Sequence, residues 1–268
     1  MAIKRGESPR KKVGLALGSG AARGLAHIGV LEVLDREGIP VDMIAGTSIG
    51  ALIGAFYAQQ KDVGRIKNLA LGMGSKKFAS LLDPVLPRTG LIRGRKIENT
   101  LRPTIGDIEF GDLRIPFACV ATDIGSGEEV VIKRGLVWEG IRASGSLPGL
   151  FTVAKWESRY LVDGGLVSPV PVSVLKAMGA DFIIAVNVLP YRGRRERKEP
   201  SIFGVIMQTF YIASYQMVKS SLSGADIVIE PQVGDIAFAD FRRAEECMRQ
   251  GELAAQEAIA EIKRCLLL

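Results

Sequence analysis

Gly46-Thr47-Ser48-Ile49-Gly50 has the composition that lets a strand turn sharply into a helix and present a serine hydroxyl as a nucleophile. A chain with 31 glycines carries about 0.2 such patterns by chance, so the surrounding sequence has to decide its meaning. Taken alone, the segment also describes a tight strand-to-helix connection with serine as the N-cap. Upstream, Gly18-Ser19-Gly20-Ala21-Ala22-Arg23-Gly24 forms a second turn of small residues. Backbone N–H groups in such a turn, at the start of a helix, bind either a phosphate or a developing oxyanion. Arg23 stands where a dinucleotide fingerprint needs its third glycine, and Asp42 precedes the next strand where an acid should end it. The turn therefore reads as an oxyanion hole, with Ser19, Gly20 and Ala21 as the expected donors.

A serine nucleophile needs a base, and histidine is the usual one. The chain has one histidine, His27. It falls inside an apolar helical pattern, with Leu31 and Leu34 on its face, which suits helix packing better than proton transfer. A carboxylate is the remaining choice. Asp163-Gly164-Gly165 supplies it: Asp163 is the only aspartate followed by glycine, and it ends the short strand pattern Tyr160–Val162. Asp123, at the end of Phe117–Thr122, is the second candidate. A carboxylate with an ordinary pKa of about 4 takes a proton from serine only in close contact, in a site with little water and strong oxyanion stabilisation.

These turns need a frame. Short β-branched or apolar runs alternate with longer helical patterns, as in Val13–Leu17, Ala22–Glu37, Val41–Ala45 and Ile49–Gln59. That order predicts an α/β fold with a central, mostly parallel sheet sandwiched between helices. Residues 13–268 are expected to form a single domain, preceded by a flexible basic leader over 1–12.

Taken together, the three segments resemble the patatin-like phospholipase family. Its pattern is a glycine-rich oxyanion turn ending in a basic residue and glycine, then Gly-x-Ser-x-Gly, then Asp-Gly-Gly or Asp-Gly-Ala. The resemblance runs from about Val13 to Pro171 and includes Ala143-Ser144-Gly145-Ser146-Leu147-Pro148. It implies the three-layer α/β/α fold of that family and a serine lipid acyl hydrolase, a phospholipase, lysophospholipase or carboxylesterase. Ser48 and Asp163 would form a catalytic dyad. Gly18, Arg23, Gly24, Gly46, Gly50, Gly164 and Gly165 would shape the turns, with no metal or organic cofactor required. Ser19 and Ala21 depart from the family's run of three glycines, and side chains there restrict the positive φ angles such a turn uses. The alternative expectation is thus a weakly active or inactive patatin-fold protein that regulates or binds lipid.

Composition narrows the partners. Of the net charge of +6, residues 1–12 contribute +4 and Tyr191–Glu199 contribute +3, leaving a nearly neutral body. Arg192, Arg194, Arg195, Arg197 and Lys198 therefore suit peripheral contact with an anionic membrane. Nucleic acid is not expected, since the cluster has neither a recognition helix nor interleaved aromatics. Ser201–Val218 is free of charge for 18 residues, yet Ser201, Gln208, Thr209 and Gln216 fall on one stripe at about 100° per residue. It reads as an amphipathic helix, buried or at a subunit interface, with membrane-surface docking as the second reading. Three scattered cysteines fit a reducing compartment, and the expected location is the cytoplasm, with access to the inner face of the membrane. Self-association is left open.

Overall fold

The computed structural model describes residues 10–72, 80, 83–84, 89–189 and 201–268. Among them, ten strands are β1 (Val13–Leu17), β2 (Met43–Thr47), β3 (Gly90–Ile92), β4 (Phe117–Asp123), β5 (Glu129–Ile132), β6 (Gly149–Phe151), β7 (Ala154–Trp156), β8 (Arg159–Asp163), β9 (Phe182–Val186) and β10 (Ile227–Ile229). Eight helices are α1 (Ala26–Arg36), α2 (Ile49–Gln60), α3 (Val63–Leu71), α4 (Arg95–Ile105), α5 (Val137–Ser144), α6 (Val172–Met178), α7 (Ile202–Ser221) and α8 (Ala244–Leu266).

The main sheet runs β10-β9-β1-β2-β4-β8-β7, with β5 also on β4. Pairings from β10 to β4 are parallel, and those of β5, β7 and β8 are antiparallel. β1, β2 and β9 are buried along their whole length, as continuous apolar runs covered on both faces must be. Leu15, Leu17, Ile44, Phe117 and Ile184 pack on one side against α1, α2, α3, α5 and α8. Ala16, Ala45, Val120 and Ile183 pack on the other against Val172 and Leu175 of α6. The expected helix–sheet–helix layering is present, with most helices on one face.

One feature of the register places the site. β5 pairs with residues 119–122 of β4, overlapping both the stretch that pairs with β2 and the stretch that pairs with β8. A strand has two edges, so β2 and β8 must share the other one. β2 ends there with Thr47 opposite Val120, and β8 ends there with Asp163 opposite Ala121. The C-terminal ends of the two strands meet along one edge of β4, which brings Ser48 and Asp163 together across 115 residues of sequence.

The segment Ser201–Val218 does form a helix, and its polar stripe of Ser201, Gln208, Thr209 and Gln216 faces solvent. Burial is narrower than its apolar content implies: Met207, Phe210, Ser214 and Val218 face inward, while Ile202 (78% exposed), Val205 (44%) and Ile212 (51%) do not. No helix among the described residues is long and apolar enough to cross a membrane. The basic cluster Arg192–Lys198 lies outside the described residues, as does most of the 1–12 leader. Its last residues are tied down, with Arg10 paired to Asp42 at 2.6 Å and the Lys12 N–H donating to Asp181.

Candidate active site

Ser48 caps α2 with φ +57° and ψ −119°, a backbone conformation that side-chain-bearing residues rarely hold outside functional turns. Gly50 makes this bend feasible, because a Cβ there would lie 2.1 Å from the Leu17 carbonyl oxygen. Gly46 sits in β2 between Leu17 and Cys119 of the flanking strands, where the first turn of α2 folds back on it. A side chain the sequence had not assigned fixes the elbow from the other side. Ser144 Oγ accepts from the Ser48 N–H at 2.8 Å and donates to Val120 O at 2.6 Å.

Ser48 Oγ donates to Asp163 Oδ2 at 2.5 Å. The second carboxylate oxygen accepts from the Gly165 N–H at 2.8 Å, and Gly164 packs on the Val120 carbonyl. The Asp163 N–H donates to Ser146 O at 2.9 Å. Asp163 is fully buried, and burial pushes its carboxyl up to about 7, although the bonds from Ser48 and Gly165 pull the other way. Removal from water outweighs the two donors. The result is a carboxylate basic enough to accept a proton near neutral pH.

Asp123 stands apart from this pair. Its carboxylate accepts from the Gly125 N–H and lies 3.5 Å from Arg159. His27, the second residue of α1, is fully buried beneath Gly18, with Nε2 donating to Gly18 O at 2.8 Å, and burial lowers its pKa to about 4. It is neutral, and it braces the upstream turn.

That turn leaves β1 beside the elbow that leaves β2. Its Gly18 N–H donates to Val186 O and its Ser19 N–H to Pro169 O, at 3.1 and 2.8 Å. The Ser19 amide is thus already engaged, and the three expected donors narrow to Gly20 and Ala21, whose N–H groups take no acceptor among the described residues. Ala21 holds φ +48°, so the turn keeps a shape suited to glycine in spite of its methyl group. Gly24 packs against Ile49, locking the turn to the elbow. Arg23 is buried, donates Nε to Ile236 O at 2.8 Å and lies 4.9 Å from the centre of the Tyr211 ring. It ties the turn to α7 and the loop after β10, a positioning role.

Sequence reasoning missed Ser144, Ser146 and the apolar wall beside the pair. The run Ala143–Pro148 was visible as part of the family pattern, without a role for either serine. Phe210 of α7 reaches the Gly165 backbone, and with Ile92, Leu147 and Phe151 it forms a buried apolar cluster flanked by Leu150, Leu166 and Phe238. Short hydroxyl–carboxylate contact, a strained nucleophile turn, free amides and an adjoining apolar wall together suit attack on an ester bearing a hydrocarbon chain.

Comparison with known proteins bears on the family and the fold. A family model described as patatin-like phospholipase matches residues 15–176. Lysophospholipase nte1 of Aspergillus fumigatus is 39% identical over 206 residues, covering 75% of this chain and 13% of that protein. Lysophospholipase NTE1 of Saccharomyces cerevisiae is 36% identical over 271 residues, covering 89% of this chain and 16% of its own. An uncharacterized NTE family protein of Mycobacterium bovis is 37% identical over 186 residues, covering 69% of this chain and 51% of that one. The chain thus spans a small part of the fungal proteins and about half of the mycobacterial one. Among solved structures, VipD from Legionella pneumophila shares the fold, with a TM-score of 0.54 over 95% of this chain and 67% of that chain at 12% identity. With its three turns in order and the family model spanning more than half of its length, the chain belongs to the patatin-like phospholipase family.

Proposed function

We propose that the protein is a serine acyl hydrolase of phospholipid or lysophospholipid esters, with Ser48 as nucleophile, Asp163 as general base and the Gly20 and Ala21 amides as oxyanion donors. The observation that carries this is the 2.5 Å contact from Ser48 Oγ to a fully buried Asp163, with the only histidine facing Gly18 instead. As Oγ attacks the ester carbonyl, its proton passes to Asp163 Oδ2 and the negative charge builds on the carbonyl oxygen. Collapse breaks the ester C–O bond, and the departing alcohol takes the proton from Asp163. Water then attacks the acyl-serine, gives a proton to the same carboxylate and releases the fatty acid, and Ser48 recovers its proton. The acyl chain lies along Leu147, Phe151 and Phe210.

Lipid binding without turnover is the second reading, and the methyl group of Ala21 is what favours it. Peripheral contact with an anionic membrane through Arg192, Arg194, Arg195, Arg197 and Lys198 belongs to the same proposal, supported by the exposed Ile202, Val205 and Ile212 that follow them in sequence. Fatty acid release from lysophospholipid by the purified chain tests the main reading. Multiple turnovers, lost by on the order of 10⁴-fold or more in Ser48→Ala, are expected. Vesicle binding with no product from any acyl ester would leave the second reading standing.

A further inference from the structure

A cleft of about 470 Å³ opens between the start of α4, the outer face of α5 and the edge strand β7, and neither Ser48 nor Asp163 lines it. Four cations line it: Arg93, Arg95, Arg142 and Lys155. Of the three acids there, Glu98 lies 3.3 Å from Arg142 and Glu157 is paired with Arg134 at 2.5 Å, leaving Glu139. Arg93, Arg95 and Lys155 make no ion pair among the described residues. Among the lining side chains, cations without an ion pair outnumber such acids three to one, with the Asp83 carboxylate held behind them by the Gly94 and Arg95 N–H groups.

Arg142 makes this more than a solvated basic surface. It is 8% exposed, with Nη1 donating to Ser146 Oγ at 2.6 Å and Nη2 to the Arg93 and Thr152 carbonyls at 3.1 Å. Its Nε, beside Glu98, has no aligned hydrogen-bond acceptor. Burial pushes the Arg142 pKa down from the usual guanidinium range, with Glu98 and Asp83 opposing it. Glu98, a third exposed, compensates this buried cation only in part, and a further anion held out of bulk water interacts with it strongly. The rings of Trp138 and Trp156 add apolar walls, which suits an ester with an organic part better than a bare ion.

We propose that this cleft binds a phosphate-bearing ester of glycerophosphate size. The proposal goes beyond the hydrolase reading and does not depend on Ser48 chemistry. The ligand chemistry has two sources, a free glycerophosphate or the headgroup of an anionic lipid. Trp138 and Trp156 are the only tryptophans in the chain and both line this cleft, so tryptophan fluorescence reads its occupancy. Trp156 also borders a neighbouring cleft, from which Arg95→Ala with Lys155→Ala separates the signal, since Arg95 and Lys155 line only this one of the two.

The full chain carrying Ser48→Ala, to prevent turnover, is titrated with sn-glycerol 3-phosphate and, separately, with phosphatidylglycerol and phosphatidylcholine vesicles. A saturable fluorescence change is expected, weakened tenfold or more by Arg95→Ala with Lys155→Ala. The same pair of substitutions, with Ser48 present, leaves hydrolysis of a short neutral ester unchanged. Saturation by glycerol 3-phosphate assigns a soluble ligand, and saturation by phosphatidylglycerol vesicles alone assigns the lipid surface. No saturable change with any probe, or an unaltered response in the double variant, overturns the proposal.

Discussion

Asp163 is kept out of water by the ends of two strands, and the consequence is a base that titrates near neutrality rather than near 4. Under the proposed mechanism the ionised form accepts the serine proton, so kcat/KM on a neutral ester should fall tenfold per pH unit below about 7 and level off above it. A flat profile between pH 5 and 8 would assign proton transfer to another group. Ser144 bears on the other half of the pair. In Ser144→Ala the buried Ser48 N–H and Val120 carbonyl each lose a partner, a loss of about 1–3 kcal/mol in stability. Because the elbow loosens while the apolar wall stays, kcat should drop 10- to 100-fold with KM little changed. A KM effect of similar size would make Ser144 a substrate contact instead.

At the level of elements, α1 and α8 cross so closely that a Cβ on Gly29 would lie 1.9 Å from the Met248 carbonyl oxygen. Gly29→Ala is therefore expected to destabilise by about 2–3 kcal/mol, read as a lower denaturation midpoint. Gly111→Ala, with open space around it, should stay within about 0.5 kcal/mol of wild type. Much of this frame was legible in the sequence, because glycine-rich turns punctuate fully apolar strands at Leu17–Gly18 and Thr47–Ser48. Boundaries were less so: the second strand begins at Met43 rather than Val41, since Asp42 is held by Arg10 and the Val13 N–H. The predicted helix from Ala22 opens as a 3₁₀ turn, Ala21–Leu25, and becomes α-helical only at Ala26. Ser144 was visible only as part of the run Ala143–Pro148, without a role, and Phe210 gave no local signal. Their roles arise from contacts across 96 and 45 residues of chain, and no periodicity encodes such contacts.

For the whole molecule, two buried titratable groups give stability opposite pH dependences. Asp163 has a folded pKa raised to about 7, so its contribution is complete below its ordinary value near 4 and is lost as pH rises through 7. His27 is lowered to about 4, so its contribution is complete above about 6.5 and is lost as pH falls through 4. Asp163→Asn removes the buried charge, so the variant should unfold at higher denaturant than wild type at pH 8, by on the order of 3–4 kcal/mol, yet lose turnover. A destabilised Asp163→Asn at pH 8 would mean that the ionised carboxylate holds the fold together. The central claim is that Asp163, not His27, activates Ser48. Fluorophosphonate labelling rates of wild type, Asp163→Asn and His27→Ala, corrected for the folded fraction of each and read by intact mass, test it most directly. The dyad predicts rapid single labelling at Ser48 in wild type and His27→Ala, and a loss of at least 10³-fold in Asp163→Asn. Wild-type labelling in Asp163→Asn, or a selective loss in folded His27→Ala, would contradict it.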